Sequence, residues 1–278
     1  MILVTGATGT VGRQVVAQLA AAGEAVRGLA RDPDTAALPA GVEVVAGDLS
    51  DAAGLAPALA GVDAVFLVWP FPTIESVHEL GPPLVARMAA HARRIVYLSA
   101  NPAPRTPGGF WRAVEELIEA SGLEWTFLRP TGFAKNTLVW ADQIRAGDVV
   151  RWPYPQAARS LLHERDLAAV AVRALTSDEL VGQVPVLSGP DAITQAGQLS
   201  EIGAALGRVL HYENMPRDEA LAALVALFGN ADFAKSSLDV WGGFVTDSEV
   251  VTTTVADVTG EPARPFCAWA HEHADDFR

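Results

Sequence analysis

From the start of the chain to Arg129, short apolar runs alternate with segments whose apolar residues recur every three or four positions. The runs predict strands at 2–5, 25–30, 42–46, 64–69, 94–99 and 125–129, and the periodic segments predict helices at 11–22, 51–60, 76–91 and 110–121. Val11, Val15, Val16 and Leu19 mark the buried stripe of the first helix. Such alternation builds a parallel sheet covered by helices on both faces, an α/β architecture whose ligands bind beyond the carboxyl ends of the strands.

After Gly132 the pattern changes. It predicts a helix at 137–146, a Pro-rich aromatic stretch Trp152-Pro-Tyr-Pro155, a helix at 164–176 and a strand over Val184–Leu187. A helix at 195–206, a strand over Val209–Glu213, two or three helices in 216–250 around Gly229, Gly242 and Gly243, and helices at 248–257 and 265–277 complete the chain. The expected division is a sheet domain at 1–132, with contributions from about 157–190, and a smaller, interleaved region at 133–278 that serves as substrate and lid domain. Its glycine-interrupted helices suit a lid that excludes water.

The first strand opens into Thr5-Gly-Ala-Thr-Gly-Thr-Val-Gly12, whose glycines have the spacing GxxGxxG. Gly6 lets the chain turn sharply out of the strand, Gly9 removes a side chain where a pyrophosphate must come close, and Gly12 lets the helix pack tightly on the strand. Thr8, Thr10 and Val11 complete the loop. The helix N-terminus offers N–H groups and partial positive charge to phosphates. This points to a dinucleotide, the alternative being a plain tight turn. The second apolar run ends on Arg31, which favours a ribose 2′-phosphate and hence NADPH; if the strand ran one residue further, Asp32 would favour NADH.

A length of 278 residues, 50% hydrophobic and 19% charged, describes an ordinary globular protein of one or two domains. The formal net charge of −13 argues against a nucleic-acid partner. Cys267 is the only cysteine, so no intrachain disulfide is expected; no apolar run approaches a membrane span, and a strand beginning at residue 2 leaves no room for a cleavable signal. The expectation is a cytoplasmic protein, monomer or homodimer, with no metal.

Several stretches together resemble one family. They are the glycine loop, Gly47-Asp48-Leu49, Ser121-Gly-Leu-Glu-Trp-Thr-Phe-Leu-Arg-Pro130 followed by Gly132-Phe133 and Asn136, Glu164-Arg-Asp166, and the closing Thr259-Gly260 through Pro265-Phe266 to Trp269 and Phe277. The chain is similar to the NmrA-like branch of the atypical short-chain dehydrogenases/reductases, which includes quinone and triphenylmethane reductases. The resemblance implies a Rossmann-like doubly wound domain that binds NAD(P)H. It also implies that Asp48 accepts from the adenine amino group with Leu49 beside it, that Val68, Trp69 and Pro70 line the cofactor, and that Pro130, Thr131 and Phe133 lie near the nicotinamide. Asp48 has a turn or helix-capping role as its alternative.

The wider superfamily uses a serine and a Tyr-xxx-Lys pair to protonate a carbonyl oxygen as hydride arrives. Here Tyr97, Tyr154 and Tyr212 have no lysine four residues later, and the aligned lysine and tyrosine positions hold Trp111 and Pro107. Ser99 occupies the serine position, as a candidate catalytic residue or as a local cap. The proton would come from water, His163 or an acidic phenol of the substrate. Asn136 is expected to fix a loop near the nicotinamide, and Lys135 to face solvent.

Rings including Trp69, Phe71, Trp111, Phe133, Trp140, Trp152 and Tyr154 suit a flat hydrophobic guest, although most large aromatics are core. The substrate contacts expected are Trp111, Phe133, Asn136, Trp140 and His163. The expected function is an NADPH-dependent reductase of a carbonyl or quinone in an aromatic substrate, such as a natural-product ketoreductase. The rival is a non-catalytic NAD(P)-binding redox sensor that regulates a partner protein.

Overall fold

The computed structural model describes residues 1–101 and 109–278. Pro107, aligned with the superfamily's tyrosine, lies outside the described residues.

In chain order the elements are β1 (Ile2–Val4), α1 (Thr10–Ala21), β2 (Val26–Ala30), β3 (Glu43–Ala46), α2 (Ala56–Leu59), β4 (Ala64–Leu67), α3 (Ile74–Ala89), β5 (Arg94–Leu98), α4 (Phe110–Glu119) and β6 (Glu124–Pro130). Then come α5 (Ala141–Ala146), β7 (Val149–Trp152), β8 (Ala158–Arg159), α6 (Glu164–Thr176), β9 (Val186–Leu187), β10 (Ile193–Thr194), α7 (Gln195–Leu206) and β11 (His211–Asn214). Helices α8 (Arg217–Phe228), α9 (Ala231–Gly243), α10 (Thr254–Thr259) and α11 (Phe266–Glu272) end the series.

Seven strands form one parallel sheet in the order β3-β2-β1-β4-β5-β6-β9. The first six reproduce the doubly wound Rossmann-like order, so the direction of winding reverses between β1 and β4, where such sheets open a crevice at their carboxyl ends. β1, β2 and β4 are buried throughout, as expected for strands covered on both faces.

The chain divides into two compact units. The sheet unit comprises Met1–Pro130, Glu164–Leu187 and Thr254–Glu261; the second comprises Thr131–His163, Ser188–Thr253 and Pro262–Arg278. The returning segment is thus narrower than the 157–190 expected, and α10 also belongs to the sheet unit. Arg94 explains part of this. Its buried guanidinium donates to Glu124 Oε2 (2.8 Å), to Asp178 and to the carbonyls of Ser177 (2.5 Å) and Ala174 (3.3 Å), closing the end of α6 onto the base of β5. A cation is favoured at the carbonyl-rich end of a helix.

Several predicted helices were too long. That at 51–60 contracts to α2: Asp51 and Gly54 form a turn, and Pro57 occupies the first helical turn, where a missing N–H costs nothing. That at 137–146 is a 3-10 run, Ala134–Trp140, followed by α5. The helix predicted at 248–257 is extended up to Thr253, because the β-branched residues Val250 to Thr254 resist helix and the backbone N–H groups of Glu249 and Thr252 bond to Ala158 O and Ser188 Oγ. The last one breaks at His273. The pairs β7–β11 and β8–β10 add two small sheets in which β7, β8 and β10 were not anticipated.

The second unit has its own core, in which Trp140, Trp152, Phe266, Trp269 and Phe277 pack with the helices α7, α8 and α9. Among the described residues no helix is long and apolar enough to cross a membrane.

Candidate active site

At the carboxyl end of β1 the chain turns at Gly6 with φ of +58°, a left-handed conformation that disfavours any side chain. Gly12 is required by contact instead: a Cβ there would lie 2.1 Å from Gly6 O. A Cβ on Gly9 would lie 3.2 Å from Gly6 O, a tight contact with backbone but a less severe one than at Gly12, and Gly9 itself is exposed. Thr5 ties the loop to the next strand, its hydroxyl donating to Phe66 O and accepting from Val68 N.

Helix α1 begins at Thr10 with Gly9 as its N-cap, without a side-chain cap and without an acidic residue in its first turn. The leading N–H groups therefore lack a side-chain acceptor, beside exposed Gly6, Thr8 and Gly9. This cradle fits a pyrophosphate. Val11 and Leu49, expected as cofactor contacts, bury their side chains in the core, so only their backbones can face a ligand.

β2 ends at Ala30, which makes exposed Arg31 the first residue past the strand. Asp32 is engaged elsewhere, its Oδ1 capping the 3-10 turn at Asp34 N. Asp48 Oδ1 accepts from both the N–H and the hydroxyl of Ser50 at 2.8 Å, the turn role foreseen as its alternative. Those bonds hold its carboxyl below the usual range, with the Arg31 charge a smaller cause.

Ser99 follows β5, and its hydroxyl points into the protein. It donates to Glu115 Oε1 at 2.6 Å, and Glu115, fully buried on α4, also accepts from Arg129 Nε (2.9 Å) and Nη2 (2.5 Å) and from Arg112 Nη1 (3.3 Å). Tyr97, two residues earlier, is fully buried with its hydroxyl unbonded among the described residues. Burial, then the Glu115 charge, pushes its phenol up. The sequence analysis did not anticipate this network. Its signal was present: a Glu inside the apolar stripe of α4 (Val114, Ile118) and an Arg inside the apolar run Phe127-Leu-Arg-Pro130 must pair if both are buried.

The aromatic residues divide. Trp69 was expected beside the cofactor, but its ring is buried edge-to-face with Phe71 and its indole N–H donates to Phe71 O at 2.6 Å, which leaves exposed Pro70 and half-buried Val68 at the rim. Trp111 is half-buried against Phe110 in the first turn of α4.

In the second unit, Trp140 is not a substrate wall. It is 1% exposed and edge-to-face with Trp152 and Tyr212, because the 3-10 run turns it into the core. His163 is equally buried, with Nε2 3.5 Å from Glu272, and cannot present a proton to an open site. Thr131 donates to Ser160 O at 2.8 Å, and Phe133 bridges to Leu162. Phe133 is half-buried and Asn136 exposed, so of the substrate contacts expected in this unit these two stay accessible.

A Rossmann-like sheet with an open glycine cradle at its switch point defines a dinucleotide-binding α/β protein. The chain belongs to the NAD(P)H-binding family, whose model matches residues 6–178. It is 42% identical to (4-alkanoyl-5-oxo-2,5-dihydrofuran-3-yl)methyl phosphate reductase of Streptomyces griseus, across 100% of this chain and 99% of the relative. It is 33% identical to the NAD(P)H azoreductase of Xenophilus azovorans, across 100% and 99%. The crystal structure of the NADPH-dependent quinone oxidoreductase QOR2 of Escherichia coli superposes with a TM-score of 0.80 at 25% identity, across 98% of this chain and 99% of that one. The chain is therefore an NAD(P)H-dependent oxidoreductase, and the branch expected from the sequence is the right one.

Proposed function

We propose that this protein transfers a hydride from NADPH to an electron-poor carbon of a conjugated carbonyl compound, a class that contains butenolides and quinones, and that the balancing proton comes from solvent. The observation that carries this is the Ser99–Glu115 hydrogen bond. A serine hydroxyl has one proton and a carboxylate accepts only, so the proton of Ser99 is committed inward. Tyr97 and His163 are buried, and no Tyr-xxx-Lys pair exists. An isolated ketone, whose reduction puts charge on one oxygen, would find no available proton on Ser99, Tyr97 or His163. A conjugated acceptor delocalises that charge.

The relatives' substrates support this choice. The furanone of the Streptomyces relative carries, by its name, a ring C=C bond flanked by a lactone carbonyl and an alkanoyl group. Quinones and azo compounds are likewise conjugated acceptors.

NADPH supplies the hydride when bound. The loop Gly6–Gly12 and the start of α1 would hold its pyrophosphate, Arg31 its 2′-phosphate and Asp48 its adenine, with the backbone at Val68–Pro70 and Pro130–Thr131 expected along its path. Phe133 and Asn136, which stay accessible, would be the substrate contacts of the second unit. Hydride adds to the β-carbon, the C=C pair moves to the carbonyl oxygen, and water protonates the α-carbon as the carbonyl re-forms. Positioning supplies the acceleration.

The test follows loss of reduced-nicotinamide absorbance with a phosphorylated butenolide, a benzoquinone, an azo dye and an isolated aryl ketone. Turnover of the butenolide or quinone without the ketone is expected. Faster turnover of the ketone would overturn the proposal.

A further inference from the structure

Helix α1 starts without a counter-charge of its own. The backbone N–H of Arg13 closes its first rung on Gly9 O at 3.1 Å, so the N–H groups ahead of it, at Thr10, Val11 and Gly12, have no acceptor within the helix. No carboxylate lies in the first turn to offset the positive end of the dipole.

Arg13 adds a full charge to that end. Its exposed side chain folds back onto the glycine loop, Nη2 donating to Thr8 O at 3.2 Å. In a chain with 33 acidic and 20 basic residues a cation readily meets a carboxylate, as Arg27 does with Glu43 and Arg112 with Glu119. Among the described residues Arg13 makes no ion pair, and the bond to Thr8 O is the one its side chain makes.

A cation beside unpaired helix N–H groups is unfavourable by itself, since both carry the same sign; an anion on the loop removes that repulsion. The bond to Thr8 O uses one corner of a planar fork, and the remaining N–H groups match phosphate oxygens in shape and charge. The place is specific as well. Thr8 lies between Gly6 and Gly9, all three exposed, where a dinucleotide's pyrophosphate would rest, whereas Arg31 stands past the end of a different strand, β2. All of these residues belong to the sheet unit.

We propose that Arg13 is a second cofactor-binding cation, which pairs with the pyrophosphate common to NADPH and NADH, while Arg31 meets the 2′-phosphate that NADPH alone carries. This rests on the cofactor cradle described above and is independent of which acceptor is reduced.

The test is equilibrium binding of NADPH and of NADH to the full chain, read by the fluorescence of the reduced nicotinamide, for wild type, Arg13→Gln, Arg13→Lys and Gly9→Ala. Arg13→Gln should raise Kd for both dinucleotides by about tenfold and by the same factor, the scale of one charge-assisted hydrogen bond, and Arg13→Lys should restore part of the loss. Without cofactor Arg13→Gln should melt as wild type does, because the bond it loses is exposed. The wild-type Kd should also rise more steeply with sodium chloride than that of Arg13→Gln, a difference that a merely loosened loop would not produce. An unchanged Kd, a change confined to NADPH, or equal salt dependence without rescue by lysine would overturn the proposal. Binding that Gly9→Ala leaves intact would place the dinucleotide away from the loop and unseat the cradle itself; binding weakened by Gly9→Ala and not by Arg13→Gln unseats Arg13 alone.

Discussion

The Ser99 hydroxyl donates to Glu115 Oε1 across 2.6 Å, turning the residue that the superfamily uses beside its substrate into a tie between β5 and α4. Glu115 is closed on its other side by Arg129 and Arg112, so the three elements β5, α4 and β6 meet on one buried carboxylate.

Replacing Ser99 by Ala should therefore lower stability by about 1 kcal/mol, a single hydrogen bond, and change kcat for a conjugated acceptor by less than about tenfold. Glu115→Ala should cost about 3–5 kcal/mol, because it strands the Arg129 guanidinium in the interior. Urea denaturation beside turnover separates the two; a loss of kcat on the order of a thousandfold in Ser99→Ala would return the serine to a catalytic role.

The glycines of the loop should fail in different ways. Gly12→Ala puts a methyl against Gly6 O and should destabilise the protein even without cofactor. Gly9→Ala puts a methyl 3.2 Å from Gly6 O, a milder contact, so its melting temperature should fall less than that of Gly12→Ala while NADPH affinity falls. Melting curves with and without NADPH check both.

Arg31→Ala should raise KM for NADPH by about 10- to 100-fold and leave NADH almost unchanged, since a charge-assisted phosphate bond is worth about 1.5–3 kcal/mol. Equal effects on the two cofactors would remove Arg31 from the 2′-phosphate.

Arg94→Met should lower stability by about 2–3 kcal/mol at neutral pH. Hydrogen bonds from Arg94 hold Glu124 and Asp178 below their ordinary values of 4.5 and 3.8. With depressed folded-state values, their contribution is complete above the ordinary values and is lost as pH falls through the lowered ones. The gap between wild type and variant should hold above about pH 5 and shrink in acid, as measured by urea titrations across that range.

The alternation of β1 to β6 with their helices was legible because each fully buried strand is a short apolar run and each covering helix repeats its own stripe. Gly6, Gly9 and Gly12 were legible too, because the left-handed turn at Gly6 and the close approach of Gly12 to it involve residues only six apart. Trp140, Trp69 and His163 were misread for one reason: a ring or imidazole has the same letter whether it turns into a core or a cleft, and that turn is set by packing partners distant in sequence. The same holds for the helix predicted at 248–257, which partners at Ala158 and Ser188 hold extended.

By itself, the sequence determined the parallel sheet, the dinucleotide cradle and the absence of a Tyr-xxx-Lys pair, since each depends on residues close together along the chain. Only the tertiary structure decided that the proton of Ser99 belongs to Glu115 and that Arg94 closes on Glu124 and Asp178. Both facts depend on which charges meet across the folded chain, and the spacing of residues in sequence does not contain that.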